Sequence, residues 1–273
     1  MTEFELTSFQ NIIWDYYRQH GRHDMPWRIP ELDGSFDPYK IMVSEIMLQQ
    51  TQVTRVIPKY LTFIHQFPTS VSLAAARLGD VLTAWSGLGY NRRAKFLHQA
   101  AQAIQTEFDG VFPHSLDSLM RLPGVGKNTA GAIIAYAFNQ PLVFVETNIR
   151  TVYIHHFFHD QMGISDTEII KLIDATLDRQ QPRIFYWALM DYGAYLKQAV
   201  GNLNKLSKAY TKQSTFQGSL RQIRGQVIRL LTSQPHTRAS LAAQITDERL
   251  PTVLADLTRE GLISIHDKQY RLA

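Results

Sequence analysis

The stretch RLPGVGKNTAGAII, residues 121–134, places one proline and two closely spaced glycines between two segments of helical periodicity. With the flanking SLDSLM and AYAF, it predicts a helix, a short PGVG turn and a second helix. Glycine lets such a turn adopt a positive φ without a Cβ clash, and unpaired backbone N–H groups at the start of the second helix then face outward. A phosphate can accept them. A turn that merely joins two packed helices stays open as the alternative.

The rest of the chain has mainly the 3.6-residue period of helices. DPYKIMVSEIM, residues 37–47, opens with an Asp cap and a proline at the first helical position. Other helices are predicted at about 7–19, 52–66, 78–85, 91–107, 115–121, 127–138, 147–158, 166–177 and 184–195. After a polar stretch, three short helices and two strands around a His-Asp-Lys turn predict a winged helix-turn-helix. Those helices lie near 220–232, 238–245 and 249–260.

The composition is that of an ordinary globular protein. With 273 residues, 45% of them apolar, the chain can bury a large core, and no apolar run is long enough to cross a bilayer. The N-terminus is acidic and lacks an apolar signal core, so we expect a cytoplasmic protein without a membrane partner. The net charge is only +4, but residues 197–212 hold four lysines and no acid, which favours a polyanionic partner.

Several long motifs resemble one family. LPGVGKNTAGAI is similar to the helix-hairpin-helix of the DNA glycosylase superfamily that includes endonuclease III. Four further stretches resemble motifs of the adenine-specific, MutY-type branch of that superfamily. They are MPWR (25–28), DPYKIMVSEIMLQQTQV (37–53), WSGLGYNRRAKFLH (85–98) and MDYGA (190–194). The likeness runs in unbroken order over about residues 8–215, and several motifs together are far more specific than one hairpin.

The resemblance implies an all-α fold with a two-subdomain helix-hairpin-helix DNA glycosylase domain over residues 1–215. One subdomain is a six-helix unit at about 30–137. The other combines the N-terminal helix with residues 138–215, and the lesion pocket lies in the cleft between the two. We interpret residues 219–273 as a small winged-helix-like domain, where typical adenine glycosylases carry a Nudix-like domain. We expect a monomer that binds double-stranded DNA containing a mispaired or damaged base.

Two acidic residues carry the chemistry that the resemblance implies. Glu45 matches the glutamate that protonates the adenine ring and makes the base a better leaving group, and a helix-surface glutamate is the alternative. The second acid stabilises positive charge that develops on the sugar, as paired carboxylates do in glycosidases. The family pattern there is Asp-Gly-Asn, whereas this chain has Glu146, Thr147 and Asn148. Asn148 matches, while Glu146 is one methylene longer, and a buried cap of the following helix is its alternative.

One position in the hairpin helix distinguishes bifunctional from monofunctional glycosylases. Bifunctional relatives place there a lysine that attacks the sugar. Asn128 stands at that position and Lys127 precedes it; successive helix residues point about 100° apart, so Lys127 is expected to face phosphate. The sequence therefore predicts a monofunctional glycosylase, with backbone groups at Gly124 and Gly126 contacting the phosphate.

Further positions match contacts that the family makes to DNA. Gln50 and Thr51 match an element near the opposite base, and Tyr90 matches an aromatic wedge, for which a place in the core is the alternative. Positions that line the adenine pocket in the family are matched by Trp27, Arg28 and Asp191. Packing and capping are the alternatives for the tryptophan and the aspartate.

The chain departs from the family at its iron–sulfur loop. Because the chain has no cysteine, disulfides, thiolate chemistry and cysteine-ligated metals are excluded. Four cysteines follow the MDxGA motif in the family, and at that spacing this chain has Lys197, Asn204, Ser207 and Gln213. We therefore expect no cluster, no metal and no other cofactor. An apolar anchor for the loop is expected from Leu203, Leu206 and Tyr210.

The winged segment is the second departure. Its third helix starts acidic, and DNA contact and simple packing both stay open for it. Better phosphate candidates are Arg238, Lys268 and Arg271.

These features predict base excision repair, in which adenine mispaired with guanine or 8-oxoguanine is removed by hydrolysis of its N-glycosidic bond. Two alternatives stay open. One is a glycosylase of the same fold that acts on thymine or uracil opposite guanine. The other is a catalytically inactive DNA-binding repair accessory, suggested by the longer acid and the missing cluster.

Overall fold

A computed structural model describes residues 2–158 and 161–273. In chain order the helices are α1 (Glu3–His20), α2 (Pro38–Leu48), α3 (Val53–Gln66), α4 (Ser70–Ala75), α5 (Leu78–Ala84), α6 (Arg92–Glu107), α7 (Leu116–Met120), α8 (Lys127–Phe138), α9 (Thr147–Phe157), α10 (Asp166–Thr176), α11 (Pro182–Ala199), α12 (Leu220–Leu231), α13 (Arg238–Gln244) and α14 (Leu250–Arg259). Short 3₁₀ helices cover Pro26–Arg28 and Leu203–Leu206, and the strands are β1 (His236–Thr237), β2 (Ile263–His266) and β3 (Gln269–Leu272). The predicted all-α class is confirmed.

The described residues form two compact units. The first takes in the chain up to Met42, residues 114–120 and residues 125–212. The second takes in residues 43–113, 121–124 and 213–273. These limits differ from the divisions predicted at about residues 137 and 219, because α8 packs with α7 and α11, and β3 packs against α5. The division into a glycosylase domain and a winged-helix-like domain stays a prediction.

In the first unit α11 is the central helix, and it packs against α1, α8 and α9. Its Phe185 and Tyr186 are fully buried, and the Tyr186 ring lies 4.3 Å from that of Phe144. α1 begins earlier than predicted because Thr2 and Glu5 form a capping box, which satisfies backbone N–H groups at the helix start. This packing fixes α9, whose first residues carry part of the candidate site.

In the second unit α4 and α5 pack against α6. The core there includes Phe63, Trp85 and Leu97, all fully buried. α4 was not predicted, because it has only six residues and its cap pairs Thr69 with a serine instead of the glutamate or glutamine expected three positions later.

The end of the second unit has winged-helix topology. The elements follow in the order α12, β1, α13, α14, β2 and β3, and β3 lies between β1 and β2 with antiparallel pairing on both sides. Asp267 and Lys268 both have positive φ and form the tight turn of the hairpin. The predicted winged-helix-like segment is confirmed, although the two-residue β1 was not predicted. The apolar residues of α14, namely Leu250, Val253, Leu254 and Leu257, are buried, so this face of the helix serves packing.

Within the described part of the chain, no helix combines the length and the apolar character needed to cross a membrane.

Candidate active site

Glu45 lies near the C-terminal end of α2, in the second unit. Its side chain is half-buried, whereas its neighbours Val43, Ser44, Ile46 and Met47 are buried. Partial removal of a carboxyl from water disfavours its charged form, which suits a group that has to deliver a proton near neutral pH. The setting is compatible with the proton-donor role, which stays a prediction.

Arg93 fixes the end of α2, and sequence reasoning missed this residue. Its buried guanidinium donates from Nη1 to three carbonyl oxygens at 2.6–2.9 Å, those of Ile46, Met47 and Gln49. Its Nη2 donates to the Thr51 hydroxyl at 3.0 Å. The last carbonyls of a helix lack partners within the helix, so the buried cation satisfies them. Burial lowers the pKa of Arg93 to about 10, which leaves it charged at neutral pH. The arginine pair in the GLGYNRR motif was the available signal.

Gln50 and Tyr90 share an unusual backbone conformation. Their φ angles are 55° and 48°, in the left-handed region that residues other than glycine rarely adopt. Such strain costs about 1–3 kcal/mol per residue and persists where the surroundings impose it, often at functional sites. The guanidinium carbon of Arg93 lies 5.4 Å from the centre of the Tyr90 ring. Gln50 is exposed and Tyr90 half-buried, so neither is an ordinary core residue, and their DNA contacts stay predictions.

The turn between α7 and α8 needs its glycines for different reasons. Gly124 has a φ of +78°, and a Cβ at this position would lie 2.7 Å from the Cβ of Phe96. Gly126 precedes α8 and offers no side-chain cap to its first N–H groups. Lys127 and Asn128 are exposed in the first turn of α8. Uncapped N–H groups beside a lysine suit an anion, and the phosphate contact stays a prediction.

Glu146 stands immediately before α9, in the first unit. It occupies the cap position of α9, and its side chain makes no capping hydrogen bond of the usual kind. Burial raises the pKa of its half-buried carboxyl, and the Thr147 backbone N–H and the charge of Arg150 offset part of that rise. A desolvated carboxyl with a raised pKa is a candidate for chemistry. Its catalytic role stays a prediction.

Asn148 follows in the first turn of α9 and is half-buried. α11 approaches it closely at Gly193, where an added Cβ would overlap the backbone oxygen of Asn148. The glycine of the MDYGA motif therefore allows α11 to support the start of α9, a reason for this glycine that the sequence alone did not reveal.

Asp191, the acid of the same motif, is buried within an ion-pair cluster. Arg28 donates to both of its carboxylate oxygens, at 2.8 and 2.9 Å, and the backbone N–H of Arg22 donates at 2.8 Å. Burial alone would raise the pKa of Asp191, but the hydrogen bonds and charges of the two arginines hold it below its ordinary value. Only 1% of the Asp191 side chain and 4% of the Arg28 side chain are exposed. Both residues, like the buried Trp27, support the first unit, and their adenine contact stays a prediction.

The loop after α11 does not fit an iron–sulfur cluster, because the positions of the family's cysteines offer no thiolate. Asn204 is buried and its amide donates to the Thr147 carbonyl at 3.2 Å and the Thr151 hydroxyl at 2.8 Å. The expected apolar anchor is only partly present, since Tyr210 is exposed. The 3₁₀ helix turns Asn204 inward instead, and a polar contact to α9 holds the loop. Among the described residues, no group of three or more His, Cys, Asp or Glu side chains could hold a metal.

Comparison with known proteins agrees with this geometry. Residues 43–174 match the family model described as HhH-GPD superfamily base excision DNA repair protein. The chain is 36% identical to the adenine DNA glycosylase of Buchnera aphidicola subsp. Baizongia pistaciae, over 77% of this chain and 60% of that protein. It is also 36% identical to the adenine DNA glycosylase of Mycolicibacterium smegmatis, over 81% of this chain and 80% of that protein.

Solved structures share the fold at lower identity. A thermostable thymine-DNA glycosylase aligns with a TM-score of 0.61 and 23% identity, over 74% of this chain and 94% of that chain. Endonuclease III in a non-covalent DNA complex aligns with a TM-score of 0.59 and 18% identity, over 78% of this chain and 91% of that chain. The fold and the two relatives agree, and the chain belongs to the adenine DNA glycosylase family within the HhH-GPD superfamily of base excision DNA repair proteins.

Proposed function

We propose that this protein is a monofunctional adenine DNA glycosylase of base excision repair. Its substrate is adenine opposite guanine or 8-oxoguanine in duplex DNA, and its reaction is hydrolysis of the N-glycosidic bond. Family membership supports the reaction class. The names of the two relatives suggest the base, although the aligned part of the chain spans 60% of the Buchnera protein and 80% of the Mycolicibacterium protein.

The observation that carries the proposal is the half-buried Glu146 carboxyl before α9, which makes no capping hydrogen bond. In its ionised form this group stabilises the oxocarbenium-like sugar that forms as adenine leaves. Asn148, two residues later in the first turn of α9, is proposed to act in the same step, the departure of adenine from the sugar. Glu45 protonates the ring of the leaving base, and water then attacks the sugar.

The proposal that the enzyme is monofunctional is supported by Asn128. It is exposed in the first turn of α8, where a strand-cleaving relative has its lysine amine. Lys127 is one residue away and points about 100° from it on the helix, toward phosphate. Without an amine at the sugar, no Schiff base forms and the product is an intact abasic strand.

We further infer how duplex DNA is held. The N–H groups at Gly126 and the start of α8 bind a phosphate on one strand. Extruding adenine leaves a gap in the stack at a cost of a few kcal/mol, and an aromatic wedge such as Tyr90 offsets it by about 1–3 kcal/mol. Gln50 and Thr51 contact the opposite base. The protein acts as a monomer without a metal or cluster.

An end-labelled duplex assay tests this function. Duplexes carry adenine, thymine or uracil opposite guanine or 8-oxoguanine, and each product is analysed with and without alkali. We expect adenine to be released from both mispairs, strand breaks only after alkali, and little complex trapped by borohydride. Release of thymine or uracil instead of adenine would favour a glycosylase of the same fold that acts on these bases opposite guanine. No release of any base would favour a catalytically inactive DNA-binding repair accessory.

A further inference from the structure

A basic cavity lies beside Tyr90 within the second unit. Its volume is about 800 Å³, and its wall is formed by α12, α3, the segment between α2 and α3, and the Tyr90 loop. Four cationic side chains line it, those of Arg55, Lys59, Arg221 and Arg229, and no carboxylate does. Within residues 2–158 and 161–273, none of these four is in an ion pair. The unbalanced positive charge suits a nucleic-acid backbone.

The same cavity offers groups that recognise bases. Tyr90 and Phe216, which is 62% exposed, provide aromatic faces. Side-chain amides come from Gln50, Gln213 and Gln222. Stacking faces combined with amides and cations are the means by which proteins hold unpaired nucleotides. An adjacent cavity of about 590 Å³ is less suitable, because Glu260 lines it and pairs there with Arg224.

Two residues of the C-terminal part of the chain hold the side chains predicted to enter DNA. The Gln213 amide donates to the Gln50 amide oxygen at 2.8 Å and also to the Tyr90 hydroxyl. The Arg221 guanidinium donates to the Tyr90 hydroxyl at 2.5 Å, and its carbon lies 5.6 Å from the centre of the Tyr90 ring. Arg221 is itself fixed by the Ser214 carbonyl at 2.5 Å. Tyr90 and Gln50 therefore depend on α12 and the segment before it for their orientation.

We propose that Gln213 and Arg221 are positioning and specificity-determining residues for the nucleotide opposite the excised adenine. This inference rests on the proposed function and deepens it. They hold Tyr90 and Gln50 at the cavity and present N–H donors to the edge of the unpaired purine. A guanidinium and an amide suit this task, because arginine pairs with the O6 and N7 acceptors of guanine and glutamine with base edges in general. The winged segment thus reads the opposite strand through α12, and α14 serves packing.

Binding to a product mimic tests the proposal without catalysis. Duplexes carry a tetrahydrofuran abasic site opposite guanine, 8-oxoguanine or cytosine, and fluorescence anisotropy gives each Kd. We expect the protein to bind both purine duplexes more tightly than the cytosine duplex. Arg221→Met and Gln213→Ala should each lower that preference about tenfold, because one good base contact is worth about that factor. Affinity for the cytosine duplex should stay within about threefold.

Two further variants sharpen the result. Arg259→Met removes the same charge from the same segment, at an exposed residue paired only within its own helix, and should keep the wild-type preference. Tyr90→Phe removes the shared hydroxyl, so its effect should not add to that of Arg221→Met. Equal weakening on all three duplexes would overturn the proposal, because it would reduce the two residues to phosphate contacts. A shift with Arg259→Met as large as with Arg221→Met would also overturn it. Failure of the wild type to release adenine, with the binding preference intact, would contradict the proposed function alone.

Discussion

The function and the burial of Glu146 favour opposite protonation states of its carboxyl. Its proposed role needs the anion, whereas its burial raises its pKa and favours the protonated acid. A folded-state pKa above the unfolded value contributes stability at low pH that is lost as the pH rises through the folded pKa. As the pH rises above the unfolded-state pKa, the half-buried carboxyl therefore lowers the stability of the fold. Stability lost at a site that needs a charge is a common cost of activity.

Glu146→Gln should consequently separate activity from stability. The single-turnover rate of adenine release should fall about 100-fold or more, because an electrostatic contact to the transition state is lost. The thermal midpoint at pH 7 should rise, and this gain should disappear toward pH 4, where the wild-type carboxyl is already protonated. Glu248→Gln, at an exposed glutamate, serves as the control and should change neither property. A variant that is less stable than the wild type at pH 7 would contradict the account of Glu146.

Arg93 is a buried cation that is expected to stabilise the C-terminal end of α2. Arg93→Met removes the donor from the three carbonyls and the Thr51 hydroxyl, and should lower the free energy of unfolding by about 3 kcal/mol in urea titrations. The neighbouring Arg92 is exposed, so Arg92→Met is a matched control with an expected change below about 0.5 kcal/mol. Similar losses in the two variants would refute the role of Arg93.

At the scale of elements, the contact between α9 and α11 places the candidate acid. α11 supports α9 at Gly193 because no side chain separates the helices there. The loop after α11 adds a second support, since Asn204 bonds to the Thr147 carbonyl in the first turn of α9. Both supports act on the backbone directly after Glu146, so they fix its position without touching its carboxyl.

Gly193→Ala should therefore impair catalysis through packing. The new methyl group forces α9 and α11 apart, which should cost about 1–3 kcal/mol of stability and reduce adenine release by on the order of 100-fold through misplacement of the acid. Gly225→Ala is the matched helical control, because nothing lies within 4 Å of a Cβ there, and it should be as stable as the wild type or slightly more so. Unfolding is compared for both variants, and excision is compared between Gly193→Ala and the wild type. An unaffected Gly193→Ala protein would show that the helices need no close approach.

The elements also show where sequence reasoning succeeds. Strong helical periodicity predicted α8 and α9 within a residue of their ends. The hairpin glycines were predicted for positive φ; Gly124 has it, whereas Gly126 has a φ of −86°, so the prediction is wrong for Gly126. α4 was not predicted, because six residues are too few to show a helical period. The contacts of Arg93, Gln213 and Arg221 were not predicted for another reason. They join segments that are far apart in the chain, and the local sequence pattern carries no information on such pairs.

At the scale of the whole molecule, the absence of cysteine sets the chain apart from the family pattern. The loop is held by Asn204 and by backbone bonds between Ile164 and residues 206 and 208, at 3.0 and 2.9 Å. We predict a colourless protein without stoichiometric iron by elemental analysis, whose thermal midpoint does not change with a chelator. Bound iron, or a lower midpoint after chelation, would contradict this account of the loop.

The proposed reaction depends on a carboxyl on α2 that protonates adenine as it leaves duplex DNA. Single-turnover release of adenine opposite 8-oxoguanine, measured for the wild type and Glu45→Gln together with the Kd for the same duplex, tests it most directly. We predict that the wild type releases adenine, and that Glu45→Gln reduces release to background while binding stays within about threefold, because the amide keeps the shape of the side chain but cannot donate the acidic proton. Wild-type rates in the Glu45→Gln protein would contradict the claim.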